Sequence, residues 1–199
     1  MVMKPVAETY TGSFFKQRYK LNWRDALVCD AIIKILNPAS VIDIGCGDGA
    51  YVDYFNKHGI LSKGVEGSIH SLEFLRCDKK FVLIEDLRKL IGIVDGTEWG
   101  LCMSLEVAEH IEPKYVDTYL DNLCIHSDSV LISCAPPKQG GLGHVNCQPI
   151  EYWDGLFEKR GYKRNKNITQ LFKLEWEQYK KKKGMNAYHQ NVAFYRIEK

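Results

Sequence analysis

Three polar side chains fall close together in Ser104-Leu105-Glu106-Val107-Ala108-Glu109-His110. Glu106, Glu109 and His110 are spaced i, i+3, i+4, so a helical segment would project all three from one face. Two carboxylates and an imidazole on one face can move protons or hold a divalent ion. A second histidine, His144, stands beside glycines in Gly140-Gly141-Leu142-Gly143-His144. There it can accept a hydroxyl proton, with a rate that rises through about pH 6–7 for an unshifted imidazole. It can equally anchor the loop by hydrogen bonds. The glycines suit a segment that closes over a substrate.

A second constellation lies upstream. Val41-Ile42-Asp43-Ile44 is an apolar strand that runs into Gly45-Cys46-Gly47-Asp48-Gly49. Glycines in such a turn allow positive φ and let a ligand approach the backbone. The segment that follows, Ala50 to Lys57, reads as a helix whose first N–H groups face the same ligand. Glu66 falls roughly 20 residues past the first glycine, at the end of the next apolar strand, where an acid meets ribose hydroxyls in a Rossmann-type unit. The loop is G-x-G-x-G and not the dinucleotide G-x-G-x-x-G. Asp43 and Asp48 would repel a diphosphate and suit a ligand carrying an ammonium or a sulfonium.

These residues need elements to hold them. Strand candidates are Val41–Ile44, Leu61–Val65, Phe81–Ile84, Trp99–Ser104 and Val130–Cys134, mostly continuous apolar runs as in parallel strands covered on both faces. Helical patterns cover Asp25–Leu36, a segment opened by Pro113, Tyr152–Arg160 (ending at Gly161) and residues 168–183, with a last strand over Asn191–Ile197. Alternating strands and helices predict a doubly wound α/β sheet, which binds ligands at the carboxyl ends of its strands. The glycine loop, Glu66, Asp86 and Glu106 all fall at such ends. Asp86 could equally serve as a helix N-cap, which needs the same residue type.

The chain has 199 residues, 45% hydrophobic and 26% charged, with a net charge of +2. That predicts one globular domain with no global field demanding nucleic acid. No apolar run is long enough for a bilayer, and the first residues lack a secretory apolar region, so a cytoplasmic protein without a membrane partner is expected. Seven scattered cysteines without C-x-x-C fit reduced thiols.

The stretch Asp43-Ile44-Gly45-Cys46-Gly47-Asp48-Gly49 resembles the first motif of class I S-adenosylmethionine-dependent methyltransferases, and the order of motifs over residues 24–162 is similar to theirs. The resemblance implies a mostly parallel seven-stranded sheet with an antiparallel last strand. It implies a single domain over residues 1–199, with 1–24 as an N-terminal lid or cover and 163–190 as a helical insertion before the last strand. S-adenosylmethionine is the implied cofactor. Asp43, Gly45, Cys46, Gly47 and Gly49 would lie against its methionine part, and Glu66 with Gly67 against the ribose. Asp86 would accept from the adenine amino group, Leu87 would supply backbone contacts, and Ser104, Leu105 and Glu106 would complete the cofactor site, with Leu105 on the adenine ring.

Glu109, His110 and His144 would then be the catalytic residues. The E-x-x-E-H pattern also resembles two subgroups in which it holds metal: ubiquinone-pathway O-methyltransferases and small-RNA 3′-terminal 2′-O-methyltransferases. Glu106, Glu109, His110 and His144 are the candidate ligands of such a divalent ion. No Asn/Asp-Pro-Pro-aromatic motif follows the fourth strand, which disfavours amino-group methylation. The implied reaction, of the EC 2.1.1 class, is methyl transfer to an oxygen of a small molecule or sugar. One rival is a methyltransferase of RNA or another polymer, using a basic groove of Lys159, Arg160, Lys163, Arg164 and Lys180–Lys183. A second is a non-catalytic S-adenosylmethionine-binding module.

Overall fold

The computed structural model describes residues 10–19, 23–182 and 184–198, and of 17–19 only the backbone. The helices are α1 (Gly12–Tyr19), α2 (Trp23–Leu36), α3 (Ala50–Lys57), α4 (Val116–Cys124), α5 (Ile150–Glu158), α6 (Lys166–Trp176) and α7 (Met185–Asn191). The strands are β1 (Ser40–Ile44), β2 (Leu61–Glu66), β3 (Val82–Ile84), β4 (Leu101–Leu105), β5 (Ser129–Ser133), β6 (Tyr162–Arg164) and β7 (Val192–Ile197). They form one seven-stranded sheet in the order β3-β2-β1-β4-β5-β7-β6. β1 to β5 pair in parallel, and β7 runs antiparallel to both β5 and β6.

The central strands β1, β4 and β5 are mostly apolar because alternate residues serve two separate cores. Ile42, Ile44, Cys102, Val130, Ile132 and Tyr195 face α4 and α5, where they meet Tyr119, Leu123, Trp153 and Phe157. Val41, Leu101, Met103, Leu131 and Phe194 face the other way, onto Val28, Ile32 and Phe55 of α2 and α3 and onto Phe172, Trp176 and Tyr188 of α6 and α7. The doubly wound sheet expected from the sequence is therefore present, with helices on both faces.

Four local expectations are corrected. The segment after β4 is not an α-helix: Glu106 has φ of 57° and only Ala108–His110 makes a single 3-10 turn. No helix follows Asp86, so it caps a turn. The helix expected over 168–183 stops at Trp176 and gives way to a 3-10 turn; α7 begins only after Gly184, at φ of 86°. The helical insertion starts at Lys166, because Lys163 and Arg164 pair with β7 as part of β6, a strand too short to show as an apolar run. Of the expected 1–24 cover, residues 1–9 and 20–22 lie outside the described residues, as does Lys183 of the lysine run.

Candidate active site

A cavity of about 740 Å³ opens at the carboxyl ends of β1 to β4. That volume suits a small-molecule site. Asp43, Gly45 and Gly47 line it from β1, Glu66 and Gly67 from β2, Asp86, Leu87 and Arg88 from β3, and Leu105, Glu106, Val107, His110 and Ile111 from β4. Tyr10, Phe14 and Phe15 line it from the N-terminal segment, Leu142 and His144 from the loop after β5, and Tyr188 from α7.

The glycine loop is built for close approach. Gly45 has φ of 86°, and a Cβ there would lie 2.5 Å from Val107 Cγ2. No L side chain satisfies both demands. The Gly45 and Cys46 amides both donate to the Val65 carbonyl, at 2.7 and 3.1 Å. Gly47 N–H donates to Glu66 Oε2 and Ser68 N–H to Glu66 Oε1, each at 2.8 Å. Glu66 is thus fixed in place by backbone amides while it borders the cavity.

Several expected cofactor contacts lie off the cavity wall. Cys46 is buried, with its Sγ so close to Gly64 that a Cβ on that glycine would come within 2.5 Å. Gly49 serves as the N-cap of α3, against Cys77. Ser104 is a strut: its Oγ donates to the Ile44 carbonyl at 2.6 Å and accepts from Tyr119 Oη at 2.7 Å. Asp48, read as a carboxylate for a cationic ligand, is fully buried and ion-paired with Arg76 at 2.8 Å; Arg76 also reaches Asp25 at 2.7 Å. That pair orders the loop from behind, and Asp43 is the loop carboxylate that reaches the cavity. At the end of β3, Arg88 grips Asp86 bidentately, at 2.8 and 2.9 Å, and holds its carboxyl below the usual range.

The acid and histidine cluster sits at the end of β4. Glu109, His110 and His144 each present a ligand atom within 4.8 Å of the others. Glu106 stands outside that group and accepts from Asn191 Nδ2 at 3.4 Å. Its left-handed backbone turns it away from the face it would share in a helix. Glu109 is completely buried, and among the described residues no side chain hydrogen-bonds to its carboxylate. Burial, reinforced by the Glu106 charge, pushes its carboxyl up to about 8. Burial also pushes His110 down to about 4, so its imidazole is neutral at physiological pH.

His110 Nδ1 lies 3.1 Å from the Gly143 carbonyl and His144 Nδ1 lies 3.1 Å from the Gln139 carbonyl. A carbonyl only accepts, so in each neutral ring Nδ1 carries the proton and Nε2 keeps its lone pair. The cluster thus offers two Nε2 acceptors, and Glu109, raised to about 8, keeps its proton at pH 7 and supplies one O–H. The Tyr10 ring covers His110 edge-on at 5.4 Å, and its buried hydroxyl has no partner. Burial first, then the charges of Glu109 and Glu66, raise that phenol far above its ordinary value.

The basic groove expected on the C-terminal third is largely neutralised. Arg160 pairs with Asp117 and Asp121, Lys163 with Glu198, Arg164 with Asp154 and Lys180 with Glu177. Lys182 lies over the rings of Trp23 and Tyr179. Sequence reasoning missed Arg24, Tyr51, Arg88 and Tyr188, all on the cavity wall. Arg88 had a readable signal, two residues after a strand-end acid; the others come from helices whose orientation no motif announces.

Sheet order, the glycine loop and the strand-end acids together define a class I methyltransferase fold around a nucleoside-sized cavity. The chain belongs to the TehB family, described as tellurite resistance protein TehB, whose model matches residues 9–123; it is a family of S-adenosylmethionine-dependent methyltransferases. No curated protein sequence matches the chain. Among solved structures, the plantazolicin methyltransferase BpumL with S-adenosylhomocysteine and a monoazolic analogue is similar at 13% identity, covering 94% of this chain and 88% of its own, with a TM-score of 0.63. The methyltransferase domain of bacterial CtHen1-C aligns at 17% identity over 89% of this chain and 98% of its own, TM-score 0.60. Magnesium protoporphyrin IX methyltransferase from Synechocystis PCC 6803 aligns at 16% identity over 75% and 76%, TM-score 0.58.

Proposed function

We propose that the chain transfers a methyl group from S-adenosylmethionine to an oxygen of a small acceptor held beside Glu109, His110 and His144. The observation that carries this is the cluster itself: two imidazoles whose Nδ1 atoms are committed to backbone carbonyls, which leaves each Nε2 as the atom to take a proton. The cofactor supplies an electrophilic methyl on its sulfonium. Glu66, with its carboxylate fixed by the Gly47 and Ser68 amides, would hold the ribose, and Asp86 and Leu87 the adenine. Asp43 and the backbone at Gly45 and Gly47 would take the methionine part, with Leu105 and Glu106 beside it. His144 or His110 would accept the acceptor's proton as its oxygen gains the methyl. Most of the rate would come from holding the two reactants in line inside a closed wall.

The ion pairs of Arg160, Lys163 and Arg164 argue against a polymer track and favour the small acceptor. A panel assay of cofactor turnover tests this. It should include sugars, phenols, tellurite (prompted by the family's description) and short RNA. Turnover confined to RNA, falling steeply with salt, would favour the polymer reading. No turnover with any acceptor, despite cofactor binding, would favour the binding module.

A second reading of the same cluster is favoured by Glu109, whose buried carboxylate has no side-chain hydrogen-bond partner among the described residues. Glu109, His110 and His144 would then hold a divalent ion. The single Nδ1–H···O=C bond on each ring is the kind of outer contact that orients imidazole ligands. Calorimetric titration with Mn²⁺ or Mg²⁺, at matched pH with and without Glu109→Gln, separates the readings.

A further inference from the structure

The helix α7, carried by the insertion between β6 and β7, reaches the cavity beside the glycine loop. Tyr188 of α7 is 2% exposed and joins three elements. The Tyr51 hydroxyl, from the first turn of α3, donates to Tyr188 Oη at 3.0 Å. The Arg24 guanidinium, from the first turn of α2, lies over the Tyr188 ring, with Cζ 4.9 Å from the centroid. Trp176 packs edge-on against the same ring at 6.3 Å, and its Nε1 donates to the Leu27 carbonyl at 3.3 Å.

Among the described residues, Arg24 and Arg88 line the cavity, and they differ in what surrounds them. Arg88 is locked to Asp86 at the end of β3. Arg24 lies near Glu106 at the end of β4, three strands from β3; burial raises the Glu106 carboxyl, and the Arg24 charge partly offsets that. A guanidinium held over an aromatic face is positioned by it, and its planar fork of N–H donors matches a carboxylate. The ligand end near β1 and the start of α3 is the amino-acid half of the cofactor if the nucleoside half lies on Glu66 and Asp86.

We propose that Tyr188 is a positioning residue that holds Arg24 against the α-carboxylate of the cofactor's amino-acid half, so that the insertion sets the preference for the complete cofactor over its truncated nucleoside. This rests on the cofactor reading above. The Tyr51–Tyr188 hydrogen bond ties this grip to the helix that follows the glycine loop. Loop and carboxylate anchor are thereby ordered together.

The test titrates the full chain with S-adenosylhomocysteine and with 5′-methylthioadenosine, which lacks the amino acid. Wild type should prefer S-adenosylhomocysteine. Tyr188→Leu should bind S-adenosylhomocysteine roughly tenfold more weakly, the scale of one lost contact to a charged group, with 5′-methylthioadenosine unchanged. Tyr188→Phe keeps the ring and loses the hydroxyl, which covers the case in which the leucine variant does not fold. It should cost a few-fold for S-adenosylhomocysteine alone, and adding Tyr51→Phe should cost no more, because both remove one bond. Equal weakening of both ligands, or no weakening of either, overturns the proposal while leaving the cofactor reading in place. Failure of wild type to bind either ligand overturns both.

Discussion

The Gly47 amide donates to Glu66 Oε2 at 2.8 Å, which ties the turn after β1 to the last residue of β2. One carboxylate therefore does two things. It closes the glycine loop from inside, and it borders the cavity.

Replacing Glu66 should consequently weaken the cofactor more than loss of a ribose contact alone. Glu66→Ala is expected to cost about 1.5–3 kcal/mol in S-adenosylhomocysteine affinity, the range for a hydrogen bond to a charged group. Glu66→Gln should cost less, because one carbonyl oxygen can still accept from a loop amide. Calorimetry on both variants checks the order; equal affinities across all three proteins would contradict it.

Asp86 and Arg88 make a second testable pair. Both are partly exposed, so their mutual contribution to stability is small, about 0–1 kcal/mol. Asp86→Asn should leave the melting temperature nearly unchanged and weaken the cofactor by several-fold. A variant that melts early yet binds normally would make Asp86 a turn cap alone.

The half-buried Arg76 should behave in the opposite way. It reaches no part of the cavity wall, yet it faces Asp25 and Asp48, both almost fully buried. Arg76→Met leaves two buried carboxylates without that partner and should destabilise the fold by about 3–5 kcal/mol. Chemical denaturation measures this; a loss under 1 kcal/mol would mean that the network carries little.

The cluster makes opposite pH demands on the fold. Glu109 rises from 4.5 to about 8, so its contribution is full below pH 4.5 and lost as pH climbs to 8. His110 falls from 6.5 to about 4, so its contribution is full above pH 6.5 and lost as pH drops toward 4. Glu109→Gln should therefore melt higher than wild type at pH 8.5 and about equally at pH 4.5. Thermal melts across that range would expose a mistaken assignment through a constant offset. If the cluster holds a divalent ion, Mn²⁺ at pH 7 should raise the wild-type melting temperature and not that of Glu109→Gln.

The sheet was legible because Ile42 and Val41, or Leu131 and Ile132, are apolar on both sides of one strand, a pattern that only a doubly covered sheet explains. The glycine loop was legible because Gly45 has no substitute at its φ and packing. Asp48 misled, since a carboxylate inside a ligand loop looks the same in sequence whether it faces the ligand or a distant Arg76. The run from Glu106 to His110 misled through its helical spacing, which the left-handed Glu106 breaks. His144 reaches His110 by tertiary packing of a loop 34 residues downstream, which no local pattern encodes.

A crystal structure of the full chain with S-adenosylhomocysteine tests the central claim most directly. The expected result places the adenine at Asp86 and Leu87, the ribose hydroxyls on Glu66, and the sulfur facing the space beside Glu109, His110 and His144. A sulfur directed away from both histidines, with the cofactor otherwise bound as described, would contradict the assignment of the cluster to catalysis.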